Sequence, residues 1–171
     1  MSFPQALYFT LVAEGGYSNQ NNDHGGATNC GITQPTYDKY RAGLGQELQP
    51  VSEISSSEVM DCYQRLYWTP ARCDIMSTAL GVCMFDWAVN HGVDGATKTL
   101  QEALGVEADG VFGPSTRAAL AAQDHDELWR EFNSRRREWY QADAAHDPSQ
   151  QGFEKGWLQR VDRLDAYVET L

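Results

Sequence analysis

The sequence has no long apolar run; nothing in it approaches the ~20 consecutive apolar residues of a membrane-crossing helix. The opening Met1-Ser2-Phe3-Pro4-Gln5 has no basic segment ahead of an apolar one, so no secretory leader is expected. Positive charge is scarce. Lys and Arg total 13 against 24 Asp and Glu, a formal net charge of −11. Nucleic-acid binding needs a basic footprint, and an anionic lipid surface needs a cationic face, so both partner classes are disfavoured. Cysteines are few, and Cys30, Cys62, Cys73 and Cys83 fit no close metal-ligand spacing. They are expected as buried, reduced thiols, with disulfide pairing left open for a setting outside a cytoplasm. Repeats, low-complexity tracts and flexible linkers are also lacking. What is present is 42% hydrophobic and 11% aromatic residues, far too many for a disordered chain. A length of 171 residues suits one domain, or two small lobes sharing a core.

The apolar spacing is helical nearly throughout. Phe3, Leu7, Leu11 and Val12 mark a first helix over residues 2–13. Residues 14–29 are dense in Gly, Asn and Asp and predict a loop or tight hairpin. A helix restarts near Pro35, with Thr33 or Gln34 before it. Ser55 and Glu58 have capping-box spacing ahead of Val59, Tyr63, Leu66 and Tyr67, and Pro70 stops that run. Residues 79–89 are apolar nearly all round, which predicts a central buried helix ended at Asn90-His91-Gly92. Further helices are expected over 96–104, ended by Gly105, then over 115–122 and 126–141. A last one carries Trp157, Leu158, Val161, Leu164 and Val168. The seam between halves is placed near Gly92.

Glu14 sits where a helix pattern meets a glycine-rich loop holding Tyr17, Asp23, Thr28 and Thr33. Glycine lets backbone approach a ligand closely and adopt positive φ. Two carboxyls in such a loop suit glycoside hydrolysis. One, protonated, donates to the leaving oxygen, and a second group supplies the base or nucleophile. Burial against aromatics such as Tyr17 would raise the Glu14 pKa as a general acid requires. The plainer account is a solvated helix end followed by an ordinary loop. The five tryptophans mostly fall on apolar stripes and are expected in the core rather than against sugars. Arg135-Arg136-Arg137 is expected as a solvated helix face, with contact to an anionic wall as the other possibility.

Glu14-Gly15-Gly16-Tyr17-Ser18-Asn19, then Asp23-His24-Gly25-Gly26-Ala27-Thr28-Asn29 and Gly31-Ile32-Thr33, resembles the signature of the glycoside hydrolase family 108 N-acetylmuramidases. These are phage endolysins and related bacterial proteins. The resemblance implies that Glu14 is the catalytic acid. The order Glu14, Asp23, Thr28 is also similar to the phage-type lysozymes, in which the Asp and Thr hold the attacking water. The spacing to Thr differs by one residue from that pattern, so either Thr28 or Thr33 takes the water-positioning part. Phe85 to Gly92 looks like the Asn-x-Gly segment that lines the saccharide cleft. Asp86 and Asn90 are spaced i, i+4 and so share a helix face. Asn90 would then hydrogen-bond an N-acetyl group, or else serve only as a helix cap. Asp109-Gly110-Val111-Phe112-Gly113-Pro114-Ser115-Thr116 resembles a turn of peptidoglycan-binding modules, and 152–161 is similar to the last helix of such a half. The same turn also reads as plain folding chemistry, with Asp capping, Gly bending and Pro starting a helix.

Together these imply an all-α, lysozyme-like fold with at most a small β-hairpin within 15–33. A catalytic lobe over 1–92 and a helical peptidoglycan-binding lobe over 93–171 are expected to pack as one compact unit. The implied activity is cleavage of the β-1,4 bond between N-acetylmuramic acid and N-acetylglucosamine. Glu14, Asp23 and Thr28 are catalytic, and Tyr17, Thr33 and Asn90 contact sugar. No metal or organic cofactor is called for, since two carboxyls and a water suffice. The partner is the murein glycan strand, with no nucleic acid and no membrane insertion, and the chain is expected as a monomer. A phage or prophage endolysin made in the host cytoplasm and released by a holin fits. A bacterial effector would look the same. A lytic transglycosylase and a non-catalytic wall-binding or secretion-associated module are the alternatives.

Overall fold

Helix α1 spans Phe3–Glu14, and its Ala6, Leu7 and Thr10 are buried at i, i+1 and i+4. The structure, a computed structural model, describes residues 2–14 and 28–171, apart from the side chains of Ala13 and Glu14. The described residues hold seven α-helices, short 3-10 turns and one two-stranded hairpin, so the fold is all-α and lysozyme-like. By its contacts the chain divides into two compact units. One is Leu7–Leu66; the other joins Met1–Ala6 to Tyr67–Leu171.

In the Leu7–Leu66 unit, β1 (Thr28–Asn29) pairs antiparallel with β2 (Ile32–Thr33). The two-residue turn between them has Cys30 at φ 51° and Gly31 at φ 76°. Positive φ at both turn positions matches the right-handed twist of the strands, which explains so tight a hairpin. Cys30 is the strained member, because it carries a Cβ in the left-handed region. The Tyr63 hydroxyl donates to the Cys30 carbonyl at 2.7 Å and holds the turn in place. Thr33 caps α2 (Gln34–Gly43), with Pro35 in its first turn as the sequence predicts. Helix α3 (Ser56–Tyr63) starts at the Ser55–Glu58 capping box, also as predicted, and runs on as a π-helical turn over Gln64–Trp68. Tyr37 of α2 donates to Glu58 of α3 at 2.8 Å, and Arg41 pairs with the same carboxylate at 2.6 Å. Burial alone would push Glu58 up. The hydrogen bonds from Ser55 and Tyr37 and the Arg41 charge overcome it and hold the carboxyl below its ordinary value.

The other unit is built on α4, which spans Thr78–Leu104. Every residue from Leu80 to Ala88 is buried, and the helix packs against α6 (His125–His146) and α7 (Gln151–Val168). Gly92 interrupts it with φ 79° and ψ 159°. The helical pattern thus breaks where the sequence predicts, but the chain re-enters a helix at once instead of turning away. Gly105 ends the second stretch in the left-handed conformation. Helix α5 (Pro114–Ala121) follows the Asp109 turn. His125 ties three segments together. Its Nδ1 accepts from the Ser77 amide at 3.2 Å, so Nε2 carries the proton and meets the Leu120 carbonyl at 3.0 Å. The four cysteines are unpaired, and Cys62, Cys73 and Cys83 are buried. Burial pushes the Cys62 thiol up to about 12 and raises the other two as well.

Candidate functional site

Glu14 is the last residue of α1. Its side chain lies outside the described residues, as do Tyr17 and Asp23. The described edge of this region is the β1–β2 hairpin. Thr28 and Thr33 are directly opposed in its register, and opposed residues project from one face of a sheet. The hairpin therefore sets the two candidate water-positioning side chains on one face. Thr33 is already engaged. Its Oγ1 accepts from the Thr36 amide at 3.4 Å and lies 2.9 Å from the Thr36 Oγ1. Asn29 donates to the Val51 carbonyl at 3.3 Å and ties β1 to the 3-10 turn Val51–Glu53.

Asn90 belongs to the unit built on α4. It is exposed, and its amide donates back to the Asp86 carbonyl at 2.6 Å. Beside it is a pocket of about 280 Å³ that Trp87, His91 and Trp139 help to line. Asp86 does not share this surface. Its side chain is fully buried and pairs with Arg136 at 2.7 Å and Arg160 at 2.8 Å. The helix face expected to carry both residues is divided by the core boundary: Asp86 turns toward α6 and α7, and Asn90 toward solvent. Burial would raise the Asp86 pKa, but two guanidiniums and their hydrogen bonds hold it below the ordinary carboxylate value. Arg136 lies with its Cζ 4.8 Å from the Trp87 ring centroid, so the ion pair also props that tryptophan.

The arginine run is another correction. Arg136 is wholly buried. Arg135 pairs with Glu131 and Glu138, and Arg137 with Asp162 and Asp165. None of the three is an unpaired cation presented to a wall. The Asp109 turn is likewise closed on itself. Gln101, almost fully buried, donates to Asp109 Oδ1 at 2.7 Å, Thr116 Oγ1 at 3.0 Å and the Val111 carbonyl at 3.1 Å. It also accepts from the Gly110 amide at 2.8 Å. Those polar groups maintain the turn. Glycine is favoured at position 110 by its φ of 78°, a backbone conformation that L side chains rarely adopt.

Comparison with known proteins decides the family. The profile of glycosyl hydrolase 108 matches residues 7–92, half of the chain. The chain belongs to the glycosyl hydrolase 108 family. A profile described as "Predicted Peptidoglycan domain" matches residues 95–162 of this family member. Its fold is similar to the solved structure of Brucella abortus SagA, with a TM-score of 0.80 and 30% identity over 98% of this chain and 94% of that chain. No curated protein matches it. This family 108 protein is a glycoside hydrolase that acts on peptidoglycan. Among its described residues there is no cluster that could hold a metal ion, and no helix long and apolar enough to cross a membrane.

Sequence reasoning missed three things about this family member. Arg136 is a buried hub and Arg160 a part-buried one, both reaching Asp86 from distant helices, and buried Gln101 is the hub of the Asp109 turn. Trp139 is 37% exposed although it lies on an apparent core stripe, while Trp68, Trp87 and Trp129 are buried as expected. His91 stacks on Trp87 at 4.5 Å and 12°, and burial lowers its pKa. Trp87 and His91 are spaced i, i+4 on α4, but no spacing brings Trp139 to them, because it meets them only when α4 and α6 pack.

Proposed function

We propose that this peptidoglycan hydrolase is an N-acetylmuramidase, cleaving the β-1,4 bond between N-acetylmuramic acid and N-acetylglucosamine. Membership of the glycosyl hydrolase 108 family carries the proposal, together with Glu14 at the end of α1 ahead of the Thr28–Thr33 hairpin. In this reading Glu14 is the general acid, which protonates the glycosidic oxygen as it leaves. Asp23 is the second carboxyl and positions or activates the water. Thr28 holds that water, with Thr33 as the alternative. Tyr17, Thr33 and Asn90 contact sugar. The chain acts as a monomer on murein and needs no cofactor.

Mass spectrometry of fragments released from purified murein tests the chemistry. Wild type should release disaccharide-peptides with reducible muramic ends, and a folded Glu14→Gln variant should release none. Anhydro-muramic ends would assign a transglycosylase instead. Turnover by folded Glu14→Gln would sink the role of Glu14, and a near-normal rate for Asp23→Ala would move the base role elsewhere.

For the biological setting we infer a phage or prophage endolysin, made in the host cytoplasm and admitted to the wall by a holin. The resemblance of the Glu14–Thr33 block to phage muramidases supports it. Similarity to a Brucella abortus protein favours a second reading, an enzyme of the bacterium's own wall. Expression in a Gram-negative host with and without a holin separates them. Lysis only with the holin is expected; lysis without it would point to an export route of its own.

A further inference from the structure

The pocket beside Asn90 has the composition of a carbohydrate subsite. Two sets of rings, from Trp87, His91 and Trp139 and from Tyr140 and Trp157, line it. His91 lies flat on Trp87, with Trp139 centred 4.0 Å from His91 and tilted by 60°. Tyr140 lies flat on Trp157 at 5.0 Å and 19°, and Phe153 continues that stack at 6.1 Å. These rings are not all core. Trp139 is 37% exposed and Phe153 60% exposed, and Trp157 is part-exposed. Two of the three buried tryptophans have indole partners: Trp68 donates to Asp74 and Trp87 to Thr99. Among the described residues, no acceptor meets the indole N–H of Trp139 or of Trp157. Asn90, Asp143 and Gln150 bring an amide, a carboxylate and a second amide to the same pocket. Ligand pockets combine mostly apolar walls with a few such polar groups.

We propose that this pocket binds an N-acetylglucosamine residue of the glycan strand, with one pyranose face lying on the exposed Trp139 ring. The C–H groups of a pyranose face carry slight positive charge and meet the negative face of an aromatic ring. The amides of Asn90 and Gln150 suit an acetamido group and ring hydroxyls. The pocket's charge selects the sugar. Asp143 is its one acidic group, burial disfavours the charged form of the His91 ring, and the two cations near that ring, Arg136 and Lys98, are paired with Asp86 and Asp94. Nothing there neutralises a carboxylate, so the stem peptide and the lactyl group of N-acetylmuramic acid are disfavoured. The proposal rests on peptidoglycan as the substrate and assigns this patch, mostly within the peptidoglycan-domain match, a distinct part in holding it.

Triacetylchitotriose, a neutral N-acetylglucosamine trimer, is the probe. The full chain carrying Glu14→Gln is labelled with nitrogen-15, and its five tryptophans give five indole N–H signals. Loss of a signal in Trp139→Phe identifies that of Trp139. The Trp139 signal should shift saturably with the trimer. Trp139→Ala, added to the same background, should bind it about tenfold more weakly, and Trp139→Phe, which keeps a ring, much less so. An unmoved Trp139 signal, or undiminished affinity in Trp139→Ala, would overturn the proposal. So would a shift produced by a murein stem peptide and not by the trimer. Turnover by Glu14→Gln would defeat the catalytic assignment alone and leave this titration to stand or fall by itself.

Discussion

Asp86 shows how much one side chain can hold together. It is buried on α4 and answers two arginines, Arg136 on α6 and Arg160 on α7. Removing one partner of a buried pair strands the other charge, so Asp86→Asn should destabilise the protein by about 3–5 kcal/mol in denaturant unfolding. The pH dependence follows from the sign of the shift. The folded pKa of Asp86 is lowered, so its contribution is complete above the unfolded value of about 3.9 and is lost as pH falls through the folded pKa. The stability gap between wild type and Asp86→Asn should be constant near neutrality and narrow below about pH 4. A gap that persisted in acid would mean the aspartate acts through packing and not charge. At this scale the sequence is a poor guide. Asp86 looked like a cleft residue because its neighbour Asn90 resembles one, and Arg136 looked solvated because two other arginines flank it.

At the scale of elements, the helix ends were legible. Ser55 with Glu58, Thr33 with Pro35, and Gly105 each act within about a turn of the backbone they terminate. Gly92 was legible as a break but not as a kink. Its φ of 79° and ψ of 159° fall in a region that only glycine occupies readily. A Cβ there would meet nothing within 4 Å. Gly92→Ala should therefore cost about 1–3 kcal/mol of stability through the backbone alone. Gly92→Ser should cost the same, as thermal unfolding would show. A loss that grew with side-chain size would instead place a neighbour against the residue. The hairpin was legible only as a loop with room for one, because four strand residues carry too little pattern to distinguish them.

For the molecule as a whole, the net charge of −11 shapes how it meets a wall that itself carries carboxylates. Repulsion between like charges is long-ranged and is screened by salt. Turnover of intact murein should rise between about 0.01 and 0.1 M salt, as the Debye length shortens from about 30 to about 10 Å. A rate that fell over that range would reveal a local cationic patch guiding the approach. The paired arginines of α6 argue against one there. Affinity then has to come from short-range contacts, the kind that rings and amides supply.

The order of helices, their caps, the acidic balance and the Glu14–Thr33 block were determined by sequence alone. Each depends on residues close together in the chain or on a simple sum over it. Only the tertiary structure decided which tryptophans face solvent, which arginine is buried and where Asp86 turns. Arg160 reaches Asp86 across 74 positions and Asn133 reaches Cys83 across 50. Burial at such places is set by the faces that helices present when they pack, and no local spacing records that choice.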